Sequence, residues 1–240
     1  ATGATSYQWK YFNGTNWVNV VDEAGVYSGA QTSSLTITGA TVLNELQYYC
    51  EVKSSATCSV ASYVAQLKVG DIWIGSNNDW NSDVNWCTGT KPTQSTDVII
   101  PTSPVGTNMP KISFSTTADC RNIEIQPGAT ITIESDLTHS GSLIINGSSS
   151  GTGTITYNRY LEKSKWYILS SPLNNSNNQS AFTASNLDFD GSTYNIADLL
   201  EASNTWNYRS SLAFPFISGQ GYLAKLSASA GSNTVSFTGT

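Results

Sequence analysis

Charge is what this chain has least of. Only 12% of its 240 residues are Asp, Glu, Lys or Arg, about half the share of an ordinary soluble domain. Thr, Ser, Asn and Gly fill the gap, so hydroxyls and amides rather than ion pairs solvate the surface. The net charge is −6. No basic stripe is present, and Lys163 with Lys165 is the densest basic pair. Nucleic acid is therefore not an expected partner, because polyanion binding needs clustered cations. No apolar run approaches the length of a membrane span, so membrane insertion is not expected.

Histidine is nearly absent. The single His139 lies in the turn Thr138-His139-Ser140-Gly141, which excludes a His cluster and reads as a solvated turn. Gly147-Ser148-Ser149-Ser150-Gly151 fits the G-x-S-x-G nucleophile pattern by letter. That pattern needs a helix after it and a His downstream, and neither follows. Among the 17 acids no spacing singles out a pair for glycoside hydrolysis. No catalytic residue is assigned, and the chain is not read as an enzyme.

The four cysteines, Cys50, Cys58, Cys87 and Cys120, form no CxxC pair and have no nearby His, which argues against zinc. Of the three pairings open to them, Cys50 with Cys58 and Cys87 with Cys120 are expected, the alternative being four buried thiols. In the chain-entropy model such bridges contribute roughly 2.5 and 4 kcal/mol. They imply an oxidising, extracellular setting. No cofactor is called for. The only metal the pattern suggests is calcium, near Asp188 and Asp190 in Asn186-Leu187-Asp188-Phe189-Asp190-Gly191. Oxygens alternate there as in a calcium loop, but Ala197 stands where a closing carboxylate belongs.

What the chain does have is short alternating strands. From Cys120 to Tyr157, the pairs Ile123/Ile125, Ile131/Ile133 and Leu143/Ile145 put aliphatic groups on one face. Pro-Gly, Ser-Gly and Asn-Gly turns cut each run after a few residues. This spacing predicts a compact, rung-like β unit with one module on each side. The expected divisions are 1–69, 70–157 and 158–240. Ile196-Ala197-Asp198-Leu199-Leu200-Glu201 is the one stretch that reads as a helical turn. Phe214-Pro215-Phe216 reads as strand and turn. Both ends read as internal to a longer chain, with a linker-like Ala1–Ser6 and a final strand that stops without a cap.

Three resemblances follow from particular residues. Tyr7-Gln8-Trp9, Ser34-Leu35-Thr36-Ile37 and Tyr48-Tyr49-Cys50-Glu51-Val52 resemble strands C, E and F of an immunoglobulin-like domain. The resemblance implies a core Trp9 near Cys50 and a tyrosine corner at Tyr48. It also implies strands A and B, for which too few residues precede Trp9. Trp73-x-Gly75, Asp79-Trp80, Trp86-Cys87, Asp97-Val98-x-Ile100-Pro101 and Cys120-x-Asn122 resemble a module of exported Bacteroidota surface proteins. Those are multidomain chains of the type IX secretion system, in which a Trp-rich segment caps a small β-solenoid or sandwich. Trp166, Ser170-Ser171-Pro172, Trp206-x-Tyr208 and Gly219-x-Gly221-Tyr222 resemble the β-sandwich that follows it.

The expected object is thus all-β: a partial immunoglobulin-like sandwich, a small β-solenoid or rung-like domain, and a jelly-roll-like β-sandwich. The expected role is structural or adhesive, spacing or displaying modules of a secreted cell-surface protein. Its expected partners are neighbouring modules of the same chain, surface glycans or other surface proteins. The alternative is a carbohydrate-binding module of a secreted polysaccharide-active enzyme. Trp9, Trp73, Trp86 and Trp166 read as core. Trp80 and Trp206, with Asn and Asp beside them, are the candidate sugar-stacking residues.

Overall fold

A computed structural model describes residues 3–38, 43, 46–55, 58–173, 182–212 and 217–239. The structure is all-β, and the described residues hold no α-helix. It divides into two compact units, Ala1–Val69 and Gly70–Thr240. The Asn- and Ser-rich loop at 174–181 and Phe214-Pro215-Phe216 lie outside the described residues, as do Ala1 and Thr2.

In the first unit, β1 (Ser6–Phe12) pairs antiparallel with β2 (Trp17–Asn19). A second small ladder joins β3 (Tyr27–Ser28) to β4 (Thr36–Ile37). β5 (Gln47–Lys53) lies against the other edge of β1 and carries β6 (Ser59–Ala61) and β7 (Ala65–Gln66) on its far side. The register sets Trp9 directly opposite Cys50. Trp9 is half-buried against Val20, Ala30 and Tyr48, and its indole N–H donates to the Thr32 carbonyl oxygen at 3.0 Å. The Tyr48 hydroxyl bonds the Tyr27 hydroxyl at 2.9 Å, not the nearby upstream backbone that a tyrosine corner uses.

The second unit winds a parallel solenoid with three faces. One face stacks β8 (Asp71–Ile72), β9 (Val98–Ile100), β12 (Ile123–Ile125) and β15 (Ser149–Gly151). The next stacks β10 (Lys111–Ile112), β13 (Thr130–Ile133) and β16 (Thr154–Tyr160). The third pairs β11 (Thr117–Cys120) with β14 (Ser142–Ile145). Val98, Ile123 and Ser149 lie in register, giving about 25 residues per coil. Period-two alternation points Ile123, Ile125, Ile131 and Ile133 inward, and all four are buried. At the turn between β12 and β13 the Ala129 N–H donates to the Gln126 carbonyl oxygen at 3.0 Å. Gly128 there has φ +81°, the position of a type II turn that only a residue without Cβ fills at low cost.

The division expected at 157/158 falls inside β16. Residues after it belong to the same unit, and their apolar groups join the same core. β21 (Thr234–Gly239) runs antiparallel along β16 and ends that face of the coil. β17 (Trp166–Leu169), β18 (Ile196–Leu200), β19 (Thr205–Tyr208) and β20 (Tyr222–Lys225) form an antiparallel sheet in the order β17-β20-β18-β19. The stretch expected to turn helically at Ile196 is therefore a central strand. Backbone pairing on both edges overrides an apolar spacing of three and four residues.

The expected disulfides are not formed, and all four cysteines are free thiols. Register explains the first. Cys50 lies beside Ser62, whose N–H donates to the Cys50 carbonyl oxygen, whereas Cys58 lies beside Ser54. Four residues of strand separate the two positions, about 13 Å, well beyond disulfide reach. Cys87 sits beside Ile72 at the first coil, where the Ile72 N–H donates to its sulfur at 3.2 Å. Cys120 is buried in β11, on a different face of the solenoid from β8.

Candidate functional site

The tryptophan-rich segment closes the first coil from within. Trp73, Trp80 and Trp86 are at most 1% exposed. Trp86 meets Trp73 and Trp80 edge to face at 5.2 and 4.9 Å, and Trp73 stacks on Trp80 at 6.5 Å. Such pairs add about 0.5–1.5 kcal/mol each beyond the area they bury. The Trp73 indole donates to the Asn108 carbonyl oxygen at 2.7 Å. Gly75, φ +75°, leaves room for that loop, since a Cβ there would meet the Asn108 carbonyl oxygen at 2.4 Å. Trp80 is thus corrected from sugar-stacking candidate to core: no face of its ring is open to a ligand. Its polar neighbours build the turn instead. Asn85, fully buried, donates to the Asn77 side-chain oxygen and to the Asp79 carbonyl oxygen, both at 2.7 Å.

Trp206 does reach the surface. It is 39% exposed on β19, with Tyr208 two residues on at 40%. Cross-strand register puts both on the face that carries Leu199 of β18, Leu223 of β20 and Trp166 with Ile168 of β17. Trp166, expected in the core, is 42% exposed because alternation along β17 turns it to the outer face of the sheet, where Leu199 of central β18 is 40% exposed. Its ring lies 6.1 Å from Tyr208, edge to face, and the Lys225 ammonium sits 5.0 Å above it. Exposed aromatic rings are thus grouped on one face of this sheet.

The remaining candidates are local turn chemistry. The Asp190 carboxylate accepts the Ser192 and Thr193 N–H groups at 2.8 and 2.7 Å, which hold it below the usual carboxylate range. Asp188 accepts from the Asn195 side chain at 3.3 Å. Among the described residues, no three His, Cys, Asp or Glu side chains gather where a metal ion could sit. His139 is exposed, and its backbone N–H donates to Asp136 at 2.7 Å. Ser149–Gly151 is β15, followed by another strand rather than the helix a nucleophile elbow requires.

One carboxylate holds a corner of the solenoid. Asp97 accepts from the Arg121 Nε at 2.7 Å and the Asn122 amide at 2.8 Å, one coil further along. The Arg121 guanidinium holds Asp97 below its ordinary value. The Asn122 oxygen in turn accepts the Ser148 N–H at 2.9 Å in the next coil. Asn122 thereby links three coils. Burial pushes the Cys120 thiol up to about 12, so it is an inert core group and not a nucleophile.

No curated protein and no solved structure matches this chain. Residues 72–139, from β8 through the tryptophan cap to the turn after β13, match a family model described as a domain of unknown function (DUF8693).

Proposed function

We propose that this chain is a structural and adhesive segment of a secreted bacterial cell-surface protein, of the kind exported in Bacteroidota by the type IX system. It spaces and displays modules. The observation that carries the reading is the continuous core of the second unit, which runs from the three-tryptophan cap through the coils to Phe182, Tyr222 and Phe237. A solenoid capped within its first coil and finished on one face by an antiparallel strand is a stiff spacer. Its low charge density suits a protein exposed to varying salt. The test is antibody labelling of intact cells of the source organism. Labelling before lysis is expected; labelling only after lysis overturns the reading.

A second reading, a carbohydrate-binding module, is favoured by the exposed Trp206, Tyr208 and Trp166 on one sheet face. A glycan array checks it: binding that Trp206→Ala removes while the melting temperature holds supports it, and binding unchanged in that variant sinks it.

A further inference from the structure

The outer face of the first unit's sheet carries a polar groove of about 680 Å³. Alternation along β1 and β5 brings Gln8, Lys10, Glu51 and Lys53 to one face, and Asn19 of β2 stands beside Lys10. Gln31 lines the same groove and reaches the Gln8 side-chain oxygen at 3.4 Å. We infer that this groove binds an acidic saccharide, a chain of pyranose rings bearing carboxylates.

Three observations carry it. First, the side-chain amides of Gln8, Asn19 and Gln31 are groups of the kind that bind sugar hydroxyls. Among the described residues the Asn19 side chain makes no hydrogen bond. The Gln31 amide has only its long contact to Gln8. Second, the charges are unequal. Lys10 bonds Glu51 at 3.2 Å, while Lys53 stands 3.8 Å from the same carboxylate, beyond hydrogen-bond range. One ammonium is left able to donate to an incoming anion. Third, the groove nets one positive charge in a chain of net −6, which selects a carboxylate-bearing ligand over a neutral one by charge complementarity. The groove is on the first unit and is independent of the aromatic face on the second. It needs nothing from the proposed cellular location.

The test uses the 240-residue chain and oligogalacturonate, with cello-oligosaccharide of equal length as the neutral arm, read by isothermal titration at low and high salt. Oligogalacturonate should bind more weakly as salt rises, and cello-oligosaccharide should bind at least about tenfold more weakly than oligogalacturonate at low salt. Lys53→Met, which keeps the aliphatic stem, should weaken binding about tenfold or more. Glu51→Gln should tighten it, a change that misfolding would not produce. Trp206→Ala should leave it unchanged. Equal binding of both saccharides, no binding of oligogalacturonate, or indifference to Lys53→Met and Glu51→Gln in folded protein would each overturn the assignment.

Discussion

The Trp86 indole N–H donates to the Trp80 carbonyl oxygen at 2.9 Å, and the two rings meet edge to face at 4.9 Å. Trp80 is 0% exposed. Trp80→Ala should therefore act on stability alone, costing about 3–5 kcal/mol through the cavity left behind. For a unit of this size that is a fall of roughly 6–20 °C in melting temperature. Trp206→Ala, by contrast, should cost less than about 1 kcal/mol, since its ring is already partly in water. Thermal unfolding of the two variants side by side checks both. Equal losses would contradict the burial difference.

Asp97 ties Arg121 and Asn122 across adjacent coils. Its folded carboxyl is held below the ordinary 3.8, chiefly by its hydrogen bond to Arg121. A depressed folded value means the stabilisation is complete above the unfolded value and is lost as pH falls through the folded one. Asp97→Asn should be less stable than the natural chain at pH 7, and the gap should narrow progressively below about pH 4. Chemical denaturation at pH 7, 5 and 3 reads the trend. A gap independent of pH would show that the charge of Asp97 has no part in it.

The four thiols should separate by exposure. Cys58 and Cys87 are exposed, Cys50 and Cys120 buried. Burial raises Cys87 as well, and its hydrogen to Asp71 adds to the rise. At pH 8, Cys58 should alkylate first and Cys87 more slowly, with Cys50 and Cys120 protected until denaturant is added. Mass spectrometry without reductant should count four alkylatable groups after unfolding. Two alkyl groups missing per bridge would restore a disulfide.

Gly153 turns the chain from β15 into β16 where a Cβ would meet the Ile125 Cγ2 at 2.2 Å and the Gln126 carbonyl oxygen at 2.6 Å. Gly153→Ala should cost about 1–3 kcal/mol by overpacking. Gly231 has no atom within 4 Å of its would-be Cβ and an ordinary φ. Gly231→Ala should be neutral or stabilising by up to about 1 kcal/mol. The two midpoints in urea should move in opposite directions or differ by more than their error.

Parts of this structure are legible residue by residue. The alternation at Ile123, Ile125, Ile131 and Ile133 specifies strands and their inward face, because period two admits one buried side. Pro127-Gly128 specifies its turn by fixed φ and absent Cβ. The break after Val69 is visible in the shift to a tryptophan-rich segment. Other parts mislead. Asp79 and Asn81 make Trp80 look wet, although the adjoining Asn77, Asp79 and Asn85 groups satisfy one another in a cap turn. Ile196, Leu199 and Leu200 have helical spacing, and Trp166 gives no sign of its outward position.

Local pattern thus determined which residues extend, where they turn and which side faces inward, because those properties depend on neighbours two to four positions away. Only the tertiary structure decided that Trp80 is core and Trp206 surface, that no cysteine meets another, and that Asn19, Gln31 and Lys53 share one groove. Each of these depends on strand register between residues distant in the chain, and a slip of one position there turns every side chain to the opposite face.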